Sequence, residues 1–94
     1  MFEIKDDGDG TIRLSGRLDA AEVENVRAIF DRVKQSTIID FGDLDYISSA
    51  GLGVLLVTEK RLGVANEHLK LVNLNRHIRE IFRIAGFDRI FEIE

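Results

Sequence analysis

The sequence predicts an α/β fold with a mixed, mainly parallel, five-stranded sheet and three helices that lie mainly on one face of it. Short apolar runs of strand character alternate with segments whose apolar residues recur at helical spacing, in the order ββαβαβαβ. This alternation is typical of parallel strands joined by right-handed crossovers. A turn-rich segment, residues 6–10, separates the first two strands and predicts a hairpin that adds one antiparallel edge strand.

Length and composition predict one domain over residues 1–94, with enough apolar material (45%) for a single core. The net charge of −4 argues against a nucleic-acid-binding surface, which needs clustered basic side chains. No segment approaches the roughly 18 apolar residues of a membrane span, and residues 1–10 do not resemble a signal peptide. The absence of cysteine excludes thiolate chemistry and cysteine-based zinc sites. We therefore expect a cytoplasmic protein without membrane insertion or a nucleic-acid partner.

The N-terminal hairpin is predicted from residues 1–5 and 11–18, where apolar side chains alternate with polar ones. The segment between them, "DDGDG", partly resembles a calcium-binding loop. In that register, however, Lys5 occupies the first ligand position and Gly16 the last, where a bidentate glutamate is needed. A turn is the better interpretation, and no metal or cofactor is predicted.

The middle of the chain contains two predicted helices and a strand. Asp19 is a predicted N-cap, and residues 20–34 have the apolar spacing of an amphipathic helix. Residues 37–41 predict a buried strand and residues 42–45 a loop. The second helix begins within the segment "YISSAGLGVLL" at residues 46–56, where a strand turns into a helix. Leu52, Leu55, Leu56 and Leu62 mark one face of this helix, which is expected to end near Gly63.

The C-terminal part predicts a strand, a helix and a last strand. Residues 68–74 are expected to form a strand that is buried on much of both faces. Residues 76–86 predict a helix, with Ile78, Ile81, Phe82 and Ala85 turned inward and Gly86 just after its end. Residues 89–94 predict the last strand.

The junction at residues 46–56 is the most informative segment, because ligand and partner sites of such folds lie where parallel strands turn into helices. It matches no phosphate-binding loop: Leu56 stands where a dinucleotide motif needs its third glycine, and no Gly-Lys-Ser/Thr is present. The G-x-S-x-G motif of a hydrolase nucleophile is also absent. From the residues alone, two interpretations remain. Ser48 or Ser49 simply caps the helix, or the helix N-terminus holds an anion near these hydroxyls.

Residues 40–56, "DFGDLDYISSAGLGVLL", resemble the signature of STAS domains, the fold of bacterial anti-sigma factor antagonists. Residues 14–30 and 71–93 resemble other segments of the same family, so the resemblance spans nearly the whole chain and implies a STAS-like fold. The signature positions that match are Asp40, Tyr46, Ile47, Ser49, Gly51, Leu52 and Gly53.

The resemblance implies a phosphorylation-controlled binding module and not an enzyme. The unphosphorylated form would bind an anti-sigma factor that is also a serine kinase, and so free the sigma factor. Phosphorylation of Ser49 would release the partner, and a serine phosphatase would reset the cycle. Ser48 stands where the family has an aspartate and is a second candidate acceptor.

The expected partner-binding residues are centred on Ser49. The small residues Ala50, Gly51 and Gly53 are expected to leave the surface around Ser49 open to the close approach of a kinase. The full set is Asp19, Asp43, Asp45, Tyr46, Ser48, Ser49, Ala50, Gly51, Leu52 and Gly53. The alternative is a non-phosphorylated STAS subunit that binds a partner constitutively in a transporter or a multiprotein regulatory assembly. A nucleotide-binding or hydrolytic domain is a third, weaker hypothesis.

Overall fold

A computed structural model describes residues 1–94 and confirms the predicted fold class. The sheet has the order β1-β2-β3-β4-β5; β1 is antiparallel to β2, and every other pair is parallel. The elements are β1 (Phe2–Asp6), β2 (Thr11–Leu18), α1 (Val23–Phe30), β3 (Thr37–Ile47), α2 (Ser49–Val64), β4 (Leu69–Val72), α3 (Arg76–Ile84) and β5 (Glu92–Ile93). Short 3₁₀ turns at Ala20–Glu22 and Phe87–Arg89 complete the chain.

One hydrophobic core lies between the sheet and the three helices. It contains 20 buried apolar residues, which come from all three helices, from the inward-facing positions of β2, β3 and β4, and from Leu74 and Phe91 outside these elements. Phe82 of α3 contacts Phe41 of β3 edge-on at 6.0 Å between ring centroids, and Phe91 at 5.8 Å. Alternate residues of the strands, such as Arg13 and Lys70, face away from this core and are not buried. The helices therefore cover one face of the sheet, as predicted.

The predicted loop at residues 42–45 is wrong, because these residues continue β3 to Ile47. The pairing of β2 with β3 shifts by one residue between Arg13 and Ser15, and again between Gly16 and Arg17. In each place β3 accommodates one residue more than β2. Such bulges absorb turn-forming residues within a strand, which explains why this segment resembles a loop in sequence.

The first helix is shorter than predicted. Asp19 caps the chain as expected, with its carboxylate accepting a hydrogen bond from the Ala21 N–H at 3.1 Å, but the first turn is 3₁₀ and α1 ends at Phe30. The guanidinium of Arg61, on α2, donates to the carbonyl oxygens of Phe30 (2.9 Å) and Val33 (2.7 Å). The Phe30 carbonyl also accepts the Val33 N–H at 3.0 Å, and the Ile29 carbonyl accepts the Arg32 N–H at 3.1 Å. The chain therefore leaves α1 through tighter, three-residue turns, and Arg61 binds the carbonyls exposed there.

The strands near the C-terminus are also shorter than predicted. β4 ends at Val72 because Asn73 has a left-handed backbone (φ 60°), and Lys70 and Val72 are only half-buried, so one face of β4 is buried and not both. Ala85, expected inward, is exposed. Gly86 follows α3 with φ 76°, as predicted, and the 3₁₀ turn after it leaves only two residues for β5.

Two charged side chains fix the C-terminal half of α2. Arg61 binds the end of α1, as described above. The buried carboxylate of Glu59 accepts a hydrogen bond from the Leu69 N–H at the start of β4 (2.8 Å), and its other oxygen lies 2.8 Å from Nδ1 of His68. Because α2 is anchored on both sides at this end, the position of its N-terminus is also constrained.

Replacing Arg61 by methionine, which keeps the apolar stem, should lower the free energy of unfolding by about 1.5–3 kcal/mol, since a charged donor to two carbonyls is lost. Lys60→Met is the matched control: Lys60 is exposed on the same helix, and this substitution should change stability by less than about 0.5 kcal/mol. Urea denaturation measures both values. Equal stability of the two variants would show that Arg61 does not anchor α2.

Candidate functional site

The β3–α2 junction is built on Ser48. Its backbone N–H donates to the Leu18 carbonyl at 2.8 Å, which ties the end of β3 to the end of β2. Ser48 itself is extended (φ −82°, ψ 166°) and is the N-cap of α2: its Oγ accepts a hydrogen bond from the Gly51 N–H at 3.1 Å, and its carbonyl accepts from the Leu52 N–H at 3.0 Å. Both oxygens of Ser48 are therefore used to begin the helix.

Ser49 is the first residue of α2, and its environment differs from that of Ser48. Its side chain is exposed and makes no hydrogen bond within the protein, whereas Ser48 is half-buried. The hydroxyl lies at the N-terminus of a 16-residue helix, where unpaired N–H groups and the helix dipole favour negative charge. Of the two serines, Ser49 is thus the one accessible to another protein.

Gly51 and Gly53 have different structural roles. A Cβ added to Gly51 would lie 3.0 Å from both Ile47 Cγ1 and Leu18 Cγ, so this buried glycine allows α2 to lie directly against the strand ends. The expectation that Gly51 leaves the surface around Ser49 open to a kinase is therefore wrong, because Gly51 faces the interior. A Cβ on Gly53 would meet nothing within 4 Å, so close packing does not require glycine there.

A groove between α1 and α2 begins beside Ser49. Ala50 and Gly53 line it, and its volume is about 330 Å³. Arg27 of α1, Asp31 directly after α1 and Val57 of α2 also line the groove, and none of the three was among the predicted partner-binding residues. Val57 is 65% exposed despite being apolar. Its position seven residues after Ala50, on the same helix face, is the one sequence signal that indicates this surface.

The other predicted partner-binding residues do not all face this surface. Asp19 directly follows Leu18 and so lies beside the Ser48 backbone. Leu52 is buried and belongs to the core. Tyr46 belongs to the opposite side of the sheet, where its ring centroid lies 4.4 Å from the Arg17 guanidinium carbon.

The acidic residues of β3 are solvent-facing or already bound within the protein. Asp43 and Asp45 are exposed. The Asp40 carboxylate accepts hydrogen bonds from the Gly42 N–H (2.8 Å) and from Nδ2 of Asn73 (3.1 Å). No group of three or more histidine, aspartate or glutamate side chains converges to hold a metal ion. These carboxylates give no indication of a cation site.

The chain belongs to the STAS domain family. A family model described as "Mlab, STAS domain" matches residues 1–92, which is nearly the whole chain. The resemblance based on the junction motif is therefore confirmed. None of the helices is long and apolar enough to span a membrane.

Similar proteins include named regulators. The chain is 39% identical over 84 residues to the "Putative anti-sigma factor antagonist BtrV" of Bordetella bronchiseptica, covering 85% of this chain and 72% of BtrV. It is 30% identical over 87 residues to the anti-sigma-B factor antagonist of Listeria monocytogenes, covering 88% of this chain and 76% of that protein.

The fold is shared with the Bacillus cell fate determinant SpoIIAA. Its phosphorylated form aligns with a TM-score of 0.73 at 22% identity, covering 100% of this chain and 91% of SpoIIAA. Its unphosphorylated form, described as an anti-sigma factor antagonist, aligns with a TM-score of 0.70 at 21% identity, covering 96% and 97%. SpoIIAA thus has this fold in both states.

Ser48→Ala should lower the free energy of unfolding by about 1 kcal/mol, because the Gly51 N–H loses its capping partner. Ser49→Ala should change it by less than about 0.5 kcal/mol, since the Ser49 hydroxyl has no partner in the protein. Thermal or urea denaturation separates the two. A larger loss for Ser49→Ala would contradict the assignment of Ser48 as the cap.

Gly51→Ala should destabilise the protein by about 1–3 kcal/mol, because the new methyl group would push against Leu18 and Ile47. Gly53→Ala is the matched control on the same helix. It should be neutral or stabilising by up to about 1 kcal/mol, since alanine favours helices and the space is open. Equal effects of the two substitutions would be inconsistent with the close packing at Gly51.

Proposed function

We propose that this chain is an anti-sigma factor antagonist, a binding module without enzymatic activity, and that phosphorylation of Ser49 controls its binding. The unphosphorylated form binds an anti-sigma factor that is also a serine kinase, and thereby frees the sigma factor. Phosphorylated Ser49 releases that partner, and a serine phosphatase restores the binding form. The names of the relatives support the antagonist role. The observation that carries the proposal is the exposed, unbonded hydroxyl of Ser49 at the N-terminus of α2.

Ser49 is a better phosphate acceptor than Ser48 for a structural reason. Ser48 Oγ accepts the Gly51 N–H and is half-buried, so esterification there would disturb the first turn of the helix. Ser49 can enter a kinase active site without the loss of any hydrogen bond of the protein. We therefore propose Ser49 as the phosphate acceptor, with Ser48 as the second candidate.

A phosphate on Ser49 is compatible with the folded state. It adds about −1.5 to −2 units of charge at neutral pH. The helix N-terminus favours an anion at this position by roughly 0.3–1 kcal/mol. The likeness of this chain to both the phosphorylated and the unphosphorylated forms of SpoIIAA supports a switch that leaves the fold unchanged.

The phosphate would instead act on the partner. A docked partner would cover Ser49, Ala50 and the adjoining groove, where Gly53 leaves the backbone open to close approach. A dianion buried in such a contact without a cation opposite it costs several kcal/mol. Since each 1.4 kcal/mol is a factor of ten, the affinity would fall by about a hundred- to a thousand-fold.

The substitutions Ser49→Ala and Ser49→Asp test the switch. Ser49→Ala should bind the purified cognate anti-sigma factor kinase as the wild type does. Ser49→Asp should bind at least about tenfold more weakly, because it places a charge in the contact. Isothermal titration calorimetry measures both affinities.

Ser48→Ala is the matched control, since it alters the neighbouring hydroxyl without adding charge and should bind within about threefold of the wild type. Equal binding by Ser49→Ala and Ser49→Asp would contradict the switch. It would favour instead a STAS subunit that binds its partner constitutively, in a transporter or a multiprotein regulatory assembly.

A further inference from the structure

We propose that the free edge of β1 pairs with β1 of a second copy of this chain, antiparallel and centred on Ile4, to form a weak symmetric dimer. β1 is the first strand of the sheet and pairs only with β2, so its other edge has no neighbour. This inference is independent of the role of Ser49, since no residue of β1 takes part in that site.

The backbone of β1 presents a suitable pattern of hydrogen-bonding groups. At one end the Arg17 N–H donates to the Met1 carbonyl (3.1 Å), and at the other the Asp7 N–H donates to the Thr11 carbonyl (3.0 Å). Odd-numbered residues therefore turn their backbone groups toward β2, and Phe2, Ile4 and Asp6 turn theirs outward. A two-fold axis through Ile4 pairs Ile4 with Ile4 of the second copy, and Phe2 with Asp6. In this register the outward backbone N–H and C=O groups of all three residues form hydrogen bonds.

The charges of β1 select this register. When the axis passes through Ile4, Glu3 of each copy lies opposite Lys5 of the other. These are non-hydrogen-bonded pairs, in which opposite side chains are closest. An axis through Glu3 would place two glutamates opposite each other. An axis through Lys5 or Asp6 would place two lysines or two aspartates together. Like charges directly opposite destabilise a strand pair, so only the register centred on Ile4 has complementary charges along its length.

The apolar side chains of β1 also favour a second copy as the occupant. Phe2 and Ile4 lie on the helix-covered face and are only half-buried, while Glu3 and Lys5 are exposed. Pairing through Ile4 brings the two Ile4 side chains together and covers their exposed flanks. One five-residue strand pair buries less than the roughly 1,200 Å² of a stable interface, so we expect a weak, reversible dimer.

Sedimentation equilibrium of the full chain, at concentrations up to about 1 mM and low salt, tests the proposal. The wild type should dimerise reversibly. Glu3→Lys and Lys5→Glu should each raise the dissociation constant at least about tenfold, because each creates two like-charge pairs across the axis. The double variant exchanges the charges and should return to within about threefold of the wild type.

Lys60→Glu is the matched control, since it changes the net charge as Lys5→Glu does but lies on α2, and it should leave dimerisation unchanged. A substitution at Lys5 also changes its pairing with Arg13 of β2 in the same chain. Circular dichroism is therefore used to check that each variant is folded. A wild type that stays monomeric at about 1 mM would overturn the proposal. A double variant that dimerises as weakly as the single variants would also overturn it. The same holds if neither Glu3→Lys nor Lys5→Glu changes the dissociation constant.

Discussion

The close contact of Gly51 with Leu18 and Ile47 is the constraint on which the candidate site depends. At this point α2 lies so near the ends of β2 and β3 that a methyl group would come within 3.0 Å of both side chains. The Ser48–Leu18 backbone hydrogen bond fixes the same place along the chain. With Glu59 and Arg61 holding the other half of α2, the helix has one position on the sheet. The exposure of Ser49 follows from that position.

Two neighbouring serines consequently have different structural roles, which residue type alone does not separate. Ser48, directly after β3, has an extended backbone and caps the helix, and Ser49 is the first helical residue and is exposed to solvent. Aspartate and serine are comparably good N-caps, so Ser48 retains the capping function at a position where the family has aspartate. With serine as the cap, the Ser49 side chain is exposed and makes no hydrogen bond within the protein.

The element order, the hairpin and the junction could be predicted because they depend on local patterns. The remainder depends on distant partners. β3 continues through Gly42 and Asp45 because it bulges twice against β2. After Phe30 the chain leaves α1 through tighter turns, and Arg61 of another helix binds the Phe30 carbonyl there. The roles of Gly51 and Gly53 could not be separated, since their spacing does not reveal which one faces the sheet. The groove beside Ser49 needs residues of α1, whose position only the tertiary structure provides.

We propose that the hydroxyl of Ser49, and not that of Ser48, is the one that a kinase phosphorylates. Tandem mass spectrometry of the wild-type chain, after incubation with ATP and the anti-sigma factor kinase that it is proposed to bind, tests this most directly. We predict one phosphate, located on Ser49, and an unchanged far-ultraviolet circular dichroism spectrum. Phosphate on Ser48 or another residue alone, or no phosphate at all, would contradict the account.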